Sequence, residues 1–254
     1  MLQQLKGGEM DSFFADGETL TPAETKKKFL SFSIGERQKK CLQLMPPNAQ
    51  KILDLGCYTG LFTKELFDQL PGCEIIGGDY DSNNIKIAKF VYPQLRDIFV
   101  EMSAYDIPFD DNHLDVVFFQ DVIEHLEGAA TSIKEINRVL KPDGCLIIAT
   151  PSPYYIKELI NFVKYEILRK FKKNLPLSSV IFFKDVEWNR HIYCWTPSTL
   201  LTLLIVNGFE YVDHAYCQDS SNFLEKIIFK CFPFLSPTMI LKVRKSSKAP
   251  EKLV

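Results

Sequence analysis

The stretch Lys51–Gly60 constrains the fold of this chain more than any other segment. It reads Lys-Ile-Leu-Asp-Leu-Gly-Cys-Tyr-Thr-Gly, which predicts a short buried strand, a glycine turn and the start of a helix. Asp54 stands near the carboxyl end of that strand, and Gly56 and Gly60 allow the backbone to approach a ligand closely. Ligands of open α/β sheets bind outside the carboxyl ends of the strands. The turn therefore predicts a small-molecule site.

Strand and helix patterns alternate along the centre of the chain, which predicts a parallel, doubly wound sheet of the α/β class. The candidate strands are Lys51–Leu55, Glu74–Gly78, Ile98–Glu101, Leu114–Phe119 and Cys145–Thr150. The candidate helices are Leu61–Leu70, Asn83–Phe90 and Ala130–Leu140. Before them, Thr21-Pro22-Ala23-Glu24 is a capping box that opens a helical region reaching toward Leu44, interrupted at Gly35.

Length and composition set wide limits on the class of protein. The 254 residues can hold one large domain or two small ones. We predict a mobile tail over residues 1–20 and a single domain over residues 21–254. The net charge of -2 gives no indication of a nucleic-acid partner. Met1 to Gly17 lacks the apolar run of a secretory signal, and no uncharged stretch is long enough to span a bilayer.

The cysteines indicate a reduced compartment. Their odd number, seven, and scattered positions fit a cytoplasmic protein better than a disulfide framework. His191 and Cys194 are three residues apart, but no second pair completes the usual four-ligand zinc set. The sequence therefore predicts no metal.

A second candidate site residue ends the second predicted strand. Asp79 lies about twenty residues after the glycine turn, where nucleotide-binding folds place a carboxylate that accepts hydrogen bonds from ribose hydroxyls. The alternative is a turn or helix N-cap role, for which Asp81 and Ser82 compete. A dinucleotide site is disfavoured because Gly56-Cys57-Tyr58-Thr59-Gly60 is a poor match to the spacing Gly-x-Gly-x-x-Gly.

The glycine turn resembles instead the opening motif of class I S-adenosylmethionine-dependent methyltransferases, Asp-x-Gly-x-Gly-x-Gly. Further segments resemble that family in the same order, and the last of them resembles its ubiquinone-methylase-like branch. They are Gly78-Asp79, Ser103–Phe109, Asp115–Leu126, Arg138–Gly144, and His191 with Thr196-Pro197 and Gly208-Phe209.

The resemblance implies a Rossmann-like sheet of seven strands, mostly parallel, with an antiparallel last strand. Phe209–Ala215 and Thr238–Arg244 are apolar enough to supply the sixth and seventh strands. It also implies S-adenosyl-L-methionine as cofactor. The cofactor-binding residues that it implies are Asp54, Gly56, Cys57, Gly60, Asp79, Tyr80, Ser103, Ala104 and Gln120.

Two positions depart from the family pattern. Tyr58 replaces the middle glycine of the turn, where its side chain either crowds the methionine part of the cofactor or closes over it. Ser103 stands near a position where the family often has an acid that binds the adenine amino group, so Asp106 or backbone groups are expected to share that role.

The catalytic residues are harder to predict than the cofactor site. The cofactor brings an electrophilic methyl group, so orientation contributes more than a general base, and no obligatory catalytic residue is required. His125, His191 and Asp121 are the candidates for a base. His125 alternatively packs and bonds a backbone carbonyl, and Asp121 alternatively contacts the cofactor or caps a helix. His191 is equally compatible with a pocket or a structural role.

The insertion over residues 152–195 is where we expect substrate identity to be decided. Apolar and aromatic residues alternate with lysine and arginine over Tyr154–Lys173, and Phe223–Leu235 is a second such stretch. One interpretation is a helical lid with a solvated charged face. The other is peripheral contact with an anionic membrane, or a grip on an apolar substrate tail. The basic residues are confined to a short stretch and mixed with many aliphatic ones, whereas a nucleic-acid-binding protein presents a long basic face, so nucleic acid is a less favoured partner.

We therefore predict methyl transfer from S-adenosyl-L-methionine to a small organic acceptor, at a hydroxyl oxygen, on a lipid-linked or other apolar substrate. The expected location is the cytoplasm, including the inner face of a membrane. Two alternatives remain: a methyltransferase-like module that binds without catalysis, and a nicotinamide-dependent oxidoreductase. The sequence leaves the acceptor and the oligomeric state undetermined.

Overall fold

The computed structural model of the chain describes residues 22–171, 191–218, 220 and 222–247. The predicted mobile tail, Thr21 of the capping box and the stretch 172–190 of the insertion lie outside the described residues. Within them, none of the helices carries an apolar run long enough to cross a bilayer.

Strands and helices alternate as the pattern predicts. The strands are β1 Lys51–Leu55, β2 Glu74–Asp79, β3 Phe99–Glu101, β4 Leu114–Gln120, β5 Leu140–Pro151, β6 Phe209–Cys217 and β7 Thr238–Lys245. The helices are α1 Pro22–Leu30, α2 Glu36–Leu44, α3 Leu61–Gln69, α4 Ser82–Val91, α5 Ala129–Val139, α6 Ile156–Phe171, α7 Pro197–Val206 and α8 Phe223–Cys231. Short 3-10 turns cover Pro93–Ile98, Ile123–His125 and Pro233–Leu235.

The seven strands form one sheet in the order β3-β2-β1-β4-β5-β7-β6. The pairs β1–β2, β1–β4, β2–β3 and β4–β5 are parallel, whereas β7 runs antiparallel to both β5 and β6. The predicted α/β class, strand number and single antiparallel last strand are confirmed. The strand order reverses between β1 and β4, which places a ligand crevice at their carboxyl ends.

The core lies on both faces of this sheet because successive strand side chains point in opposite directions. On one face, Leu53, Val117 and Ile148 pack with the apolar sides of α5 and α7. On the other, Ile52 and Phe118 pack with α2 and α3. The central strands are buried on both sides, so they read as continuous apolar runs.

Two predicted boundaries are refined by the structure. The helical region before β1 is split, with α1 ending at Leu30 and α2 beginning at Glu36, as the interruption at Gly35 predicts. β5 begins at Leu140 rather than Cys145 because Leu140 already pairs with Leu114. The next pair is Val116 with Cys145, so residues 141–144 bulge opposite a single residue of β4.

Candidate cofactor site

A cavity of about 550 Å³ lies at the carboxyl ends of β1, β2 and β4. Its position is the one that the reversal of strand order predicts. It is lined by Phe29, Phe32, Arg37, Gln38, Asp54, Gly56, Cys57, Tyr58, Thr59, Leu61, Phe62, Asp79, Tyr80, Tyr92, Gln120, Asp121, Val122 and His125. Eight of the cofactor-binding or catalytic candidates come together here beside Tyr58: Asp54, Gly56, Cys57, Asp79, Tyr80, Gln120, Asp121 and His125.

The glycine turn is held against the neighbouring strand by its own backbone. The amides of Gly56 and Cys57 both donate to the carbonyl oxygen of Gly78, at 2.7 and 2.9 Å. Gly56 has a φ of +83°, and a Cβ there would overlap the Val122 side chain. Only glycine meets both conditions, so the turn keeps its shape before any ligand binds.

Gly60 is constrained by packing within the protein, and its predicted contact with a ligand stays a prediction. It has a φ of +83° at the start of α3, and a Cβ would lie 2.6 Å from the ring of Phe99. Its glycine identity is thus explained by packing within the protein. Cys57 lines the cavity, and burial raises the pKa of its thiol, which keeps it protonated.

Asp79 holds the glycine turn and the start of α4 at once. Its Oδ2 accepts from the amide of Tyr58 at 2.8 Å, and its Oδ1 accepts from the amide of Asp81 and from Asn84 Nδ2, at 2.9 and 3.1 Å. The N-cap of α4 is Asp81, which accepts from the Asn83 amide. Because a carboxylate offers about four acceptor directions, Asp79 retains room for ribose hydroxyls.

The Tyr58 side chain extends from the turn toward solvent. The residue has a φ of +51°, and 61% of its surface is exposed although it lines the cavity. The ring does not pack into the protein. Both predicted effects of this residue, crowding the cofactor and closing over it, therefore stay open.

Asp54 is buried beneath the cavity floor. Only 3% of its surface is exposed, and its Oδ2 accepts a hydrogen bond of 2.6 Å from the Thr63 hydroxyl. Desolvation raises the pKa of this carboxyl group to about 7, with the Thr63 bond opposing the rise. A cation in the cavity would favour the ionised form.

The opposite end of the cavity carries two buried polar atoms without partners among the described residues. They are Oε1 of Gln120 and Nε of Arg37. Arg37 Nη1 forms an ion pair with Asp121 Oδ2. Buried polar atoms without partners are costly, so these two indicate a polar ligand group.

Sequence reasoning missed the contribution of the N-terminal helices. Phe29, Phe32, Arg37 and Gln38 all line the cavity, yet nothing in their local pattern distinguishes them from a solvated helix. The one available signal is a helical region placed directly before the glycine turn. The segment that lines the cavity is thus α1–α2, whereas a lid role for residues 152–195 stays a prediction.

Ser103 and Ala104 line an adjoining cavity of about 330 Å³. Gly56, Tyr80 and His125 line both cavities, so the two are neighbours along one crevice. Ser103 Oγ accepts from the Tyr105 amide at 3.1 Å. The crevice therefore offers two compartments, one beside β2 and β4 and one beside the loop after β3.

The two candidate histidines come together although 65 positions separate them. The rings of His125 and His191 lie 4.9 Å apart, centroid to centroid, in an edge-to-face arrangement. Glu124 lies beside them, and burial raises the pKa of its carboxyl group to about 7. Asp121 is next to this group, and burial raises its pKa while Arg37 opposes the rise.

The charges around the main cavity favour a particular kind of ligand. Three carboxyl groups line it, from Asp54, Asp79 and Asp121, against one guanidinium group, from Arg37. A ligand with positive charge and one carboxylate matches this set, whereas a pyrophosphate does not. S-adenosyl-L-methionine carries a sulfonium, an ammonium and a carboxylate, so the residues present fit it.

Comparison with known proteins agrees with this geometry. Residues 53–148 match the family model described as a methyltransferase domain. Over this segment the chain is similar to class I S-adenosylmethionine-dependent methyltransferases of the ubiquinone-methylase type. The cofactor that this family and fold imply is S-adenosyl-L-methionine.

Two curated relatives and one solved structure show how far the likeness extends. The chain is 33% identical to malonyl-[acyl-carrier protein] O-methyltransferase of Legionella pneumophila over 50% of this chain and 45% of that protein. It is 30% identical to demethylmenaquinone methyltransferase of Staphylococcus carnosus over 59% of this chain and 62% of the other. It thus spans about half the length of the curated relatives that it matches.

The solved structure of the [4+2]-cyclase SpnF shares the fold, with a TM-score of 0.59 and 17% identity over 84% of this chain and 82% of that one. At this identity, the likeness concerns the fold alone. A protein named as a cyclase on this fold shows that architecture does not specify the reaction.

Proposed function

We propose that this protein transfers a methyl group from S-adenosyl-L-methionine to a small organic acceptor. The charge set of the cavity supports this most directly, because three carboxyl groups and one guanidinium group suit a sulfonium, an ammonium and a carboxylate. The family match over residues 53–148 supports the same activity.

Each end of the cofactor has candidate partners among the cavity residues. Asp79 accepts hydrogen bonds from ribose hydroxyls, and Ser103 and Ala104 lie where the adenine binds. Gln120 Oε1 accepts from the ammonium group, and Arg37 Nε donates to the carboxylate. Both atoms are buried without partners among the described residues, so binding satisfies them.

The cofactor supplies an activated methyl group, and the protein supplies orientation. The tethered glycine turn and Asp79 would hold the nucleoside, and Asp121 and His125 would line the rim at which the acceptor approaches. Holding two reactants in line contributes up to about 7–11 kcal/mol to lowering a barrier. A base at the rim, from His125, His191 or Asp121, removes the acceptor proton.

The proposed acceptor atom is a hydroxyl oxygen. One relative is named as an O-methyltransferase acting on a malonyl-[acyl-carrier protein], and another as a demethylmenaquinone methyltransferase. These names differ in substrate, so we propose acyl-carrier and quinone compounds as the first acceptors to assay.

The exposed residues of α6 and α8 support an apolar substrate, or a substrate that the protein takes from a membrane. The two helices meet where Lys157 pairs with Glu225 at 3.1 Å and the rings of Tyr155 and Phe229 lie 6.3 Å apart. Their exposed apolar residues include Phe162, Val163, Ile167, Phe171, Phe223 and Leu224. Exposed Lys164, Lys170, Lys226 and Lys230 stand among them. This combination suits an anionic lipid surface at the inner face of the membrane.

Cofactor binding is tested with S-adenosylhomocysteine and the substitution Asp79→Asn. The substitution removes the charge that strengthens hydrogen bonds to the ribose, so we expect a loss of affinity of about 10- to 100-fold, the value of a charge-assisted bond. Isothermal titration calorimetry measures it, with Asp97→Asn on the exposed turn after α4 as a matched control. Equal affinities of the wild type and Asp79→Asn would remove Asp79 from the site.

A non-catalytic binding module is the second candidate. The Tyr58 ring beside the cavity favours it, because a side chain stands there in place of the middle glycine of the turn. Tight binding of S-adenosylhomocysteine with no methylated product from either acceptor class would support this candidate over an enzyme. NADH is the control ligand and should not bind, because its negatively charged pyrophosphate would lie beside three carboxyl groups. Binding of NADH without binding of S-adenosylhomocysteine would indicate an oxidoreductase instead.

A further inference from the structure

Glu124, His125 and His191 form a cluster that the methyl-transfer proposal does not require as a unit. One carboxylate oxygen of Glu124 and one ring nitrogen of each histidine all lie within 4.8 Å of one another. Two imidazoles and a carboxylate are a ligand set that divalent transition metals commonly take in proteins.

The carboxylate of Glu124 is the buried member of the cluster, and one of its oxygens needs a partner. Glu124 is only 1% exposed. Its Oε2 accepts a hydrogen bond of 3.0 Å from the Thr150 hydroxyl, whereas its Oε1 has no hydrogen-bond partner among the described residues. A buried carboxylate oxygen without a partner is costly unless a positive charge or a donor satisfies it.

The position of His191 is fixed by the backbone that follows it. The amides of Ile192 and Tyr193 both donate to the carbonyl oxygen of Glu124, at 2.8 and 3.1 Å. The Tyr193 hydroxyl donates to the carbonyl oxygen of Glu127 at 3.3 Å. The C-terminal end of the insertion is therefore attached to the turn after β4, and these backbone bonds bring the two histidines together.

We infer that Glu124, His125 and His191 bind one divalent transition-metal ion at the rim of the cavity. Metal–ligand bonds of about 2.0–2.2 Å require ligand atoms about 3–3.6 Å apart. His191 is exposed and His125 is at most partly buried, so side-chain rotations that shift the two ring nitrogens by about 1 Å close the site around the buried carboxylate.

The ion would have open coordination positions toward the crevice. His125 lines both compartments of the crevice, and Thr150 holds the second oxygen of Glu124 in place. An oxygen-bearing ligand, such as the acceptor hydroxyl, is the class of group that such positions take. That last assignment depends on the proposed function, whereas binding of the ion does not.

Binding is measured by titrating the cofactor-free protein with CoCl2 and recording visible absorption. The expected result is one Co²⁺ per chain without the charge-transfer band of a thiolate ligand. The band is the control for binding at cysteine, because the chain has seven cysteines that could compete for the metal. Glu124→Gln and His191→Ala should each weaken binding at least about 10-fold. His214→Ala is the matched control and should leave it unchanged, since His214 pairs with Tyr211 at a distance from the site.

His191→Ala keeps the test decisive if the buried Glu124→Gln variant fails to fold, because His191 is exposed. Absence of Co²⁺ binding, a thiolate band, or equal affinity in His191→Ala would overturn the metal site. The same variants are titrated with S-adenosylhomocysteine. Wild-type protein that binds S-adenosylhomocysteine but no Co²⁺ would overturn the metal site alone, whereas binding of Co²⁺ without S-adenosylhomocysteine would overturn the proposed function alone.

Discussion

Gly56 shows at the scale of one residue how the site is preorganised. Its left-handed backbone turns the chain from β1 toward α3, and its missing side chain leaves room for Val122 from the turn after β4. The two backbone bonds to Gly78 then fix the turn against β2. Shape, packing and ligand approach therefore depend on the same position.

The substitution Gly56→Ala tests this dependence. A left-handed conformation costs a non-glycine residue about 1–2 kcal/mol, and overpacking against Val122 adds about 1–3 kcal/mol. Gly72→Ala is the control, because Gly72 has a φ of +91° and nothing within 4 Å of a Cβ. Urea unfolding should show the larger loss for Gly56→Ala, with partial recovery in the double variant that also carries Val122→Ala. Equal losses for the two glycine variants would contradict the packing role.

Asp54 predicts a pH dependence of stability. Its folded-state pKa of about 7 exceeds the unfolded value near 4, so the folded state binds more protons between these values. The free energy of unfolding should then fall as pH rises from about 4 to 7 and level off above. Each unit of pKa displacement corresponds to about 1.4 kcal/mol.

Asp54→Asn removes this ionisation and keeps an acceptor for the Thr63 hydroxyl. The decline in stability between pH 5 and pH 8, followed by chemical unfolding of the cofactor-free protein, should be smaller in the variant by roughly 1 kcal/mol or more. A decline of the same size in both proteins would show that ionisation of Asp54 does not cause the fall in the free energy of unfolding.

At the scale of elements, the cofactor site depends on α2 as well as on the sheet. This helix packs against the sheet through Cys41 and brings Arg37 to the cavity, where it pairs with Asp121. Asp121 has a φ of +52°, so the turn after β4 is itself in an uncommon conformation. The far end of the cavity is therefore assembled by two segments distant in the chain.

Arg37→Gln tests the assignment of α2 to the carboxylate of the cofactor. The variant should bind S-adenosylhomocysteine about 10-fold or more weakly, because a charge-assisted bond is lost. Its affinity for 5′-methylthioadenosine, which lacks the amino-acid part, should stay within about 2-fold of wild type. Lys40→Gln on the same helix is the control. Equal losses for both ligands would indicate that Arg37 acts on the fold rather than on the carboxylate.

At the scale of the whole molecule, α6 and α8 carry many exposed apolar side chains beside basic residues. Phe171 is 82% exposed and Phe223 74% exposed. Single exposed apolar residues are ordinary, but their number on two helices that contact each other favours a binding surface. The proposed partner is an anionic membrane.

Vesicles of equal parts phosphatidylglycerol and phosphatidylcholine test this surface by cosedimentation. Replacing Phe171 and Phe223 together with serine should reduce the bound fraction several-fold, since burial of each aromatic ring contributes about 1.5–3 kcal/mol. Phe67→Ser is the matched control, because Phe67 is an exposed aromatic residue on α3. Binding that is equal in all variants, or equal to neutral vesicles, would assign the surface to another role.

The sequence predicted the architecture well where local patterns carry it. Alternating apolar strands and helices gave the α/β sheet, and the position of Asp54 and Asp79 at strand ends put both beside the cavity. It did not reveal the second constraint on Gly60, which is the close approach of the Phe99 ring. The start of β5 was missed because a bulge of four residues hides the pairing of Leu140.

The sequence by itself determined the alternation of strands and helices and the edge of the sheet at which the cavity lies, since both follow from short-range periodicity and the rules of parallel sheets. Only the tertiary structure decided which distant side chains meet there. Arg37 reaches Asp121, and His191 reaches Glu124, through the packing of segments that no local pattern links. Such contacts arise from the shape of the whole core, so they become visible only when the chain is folded.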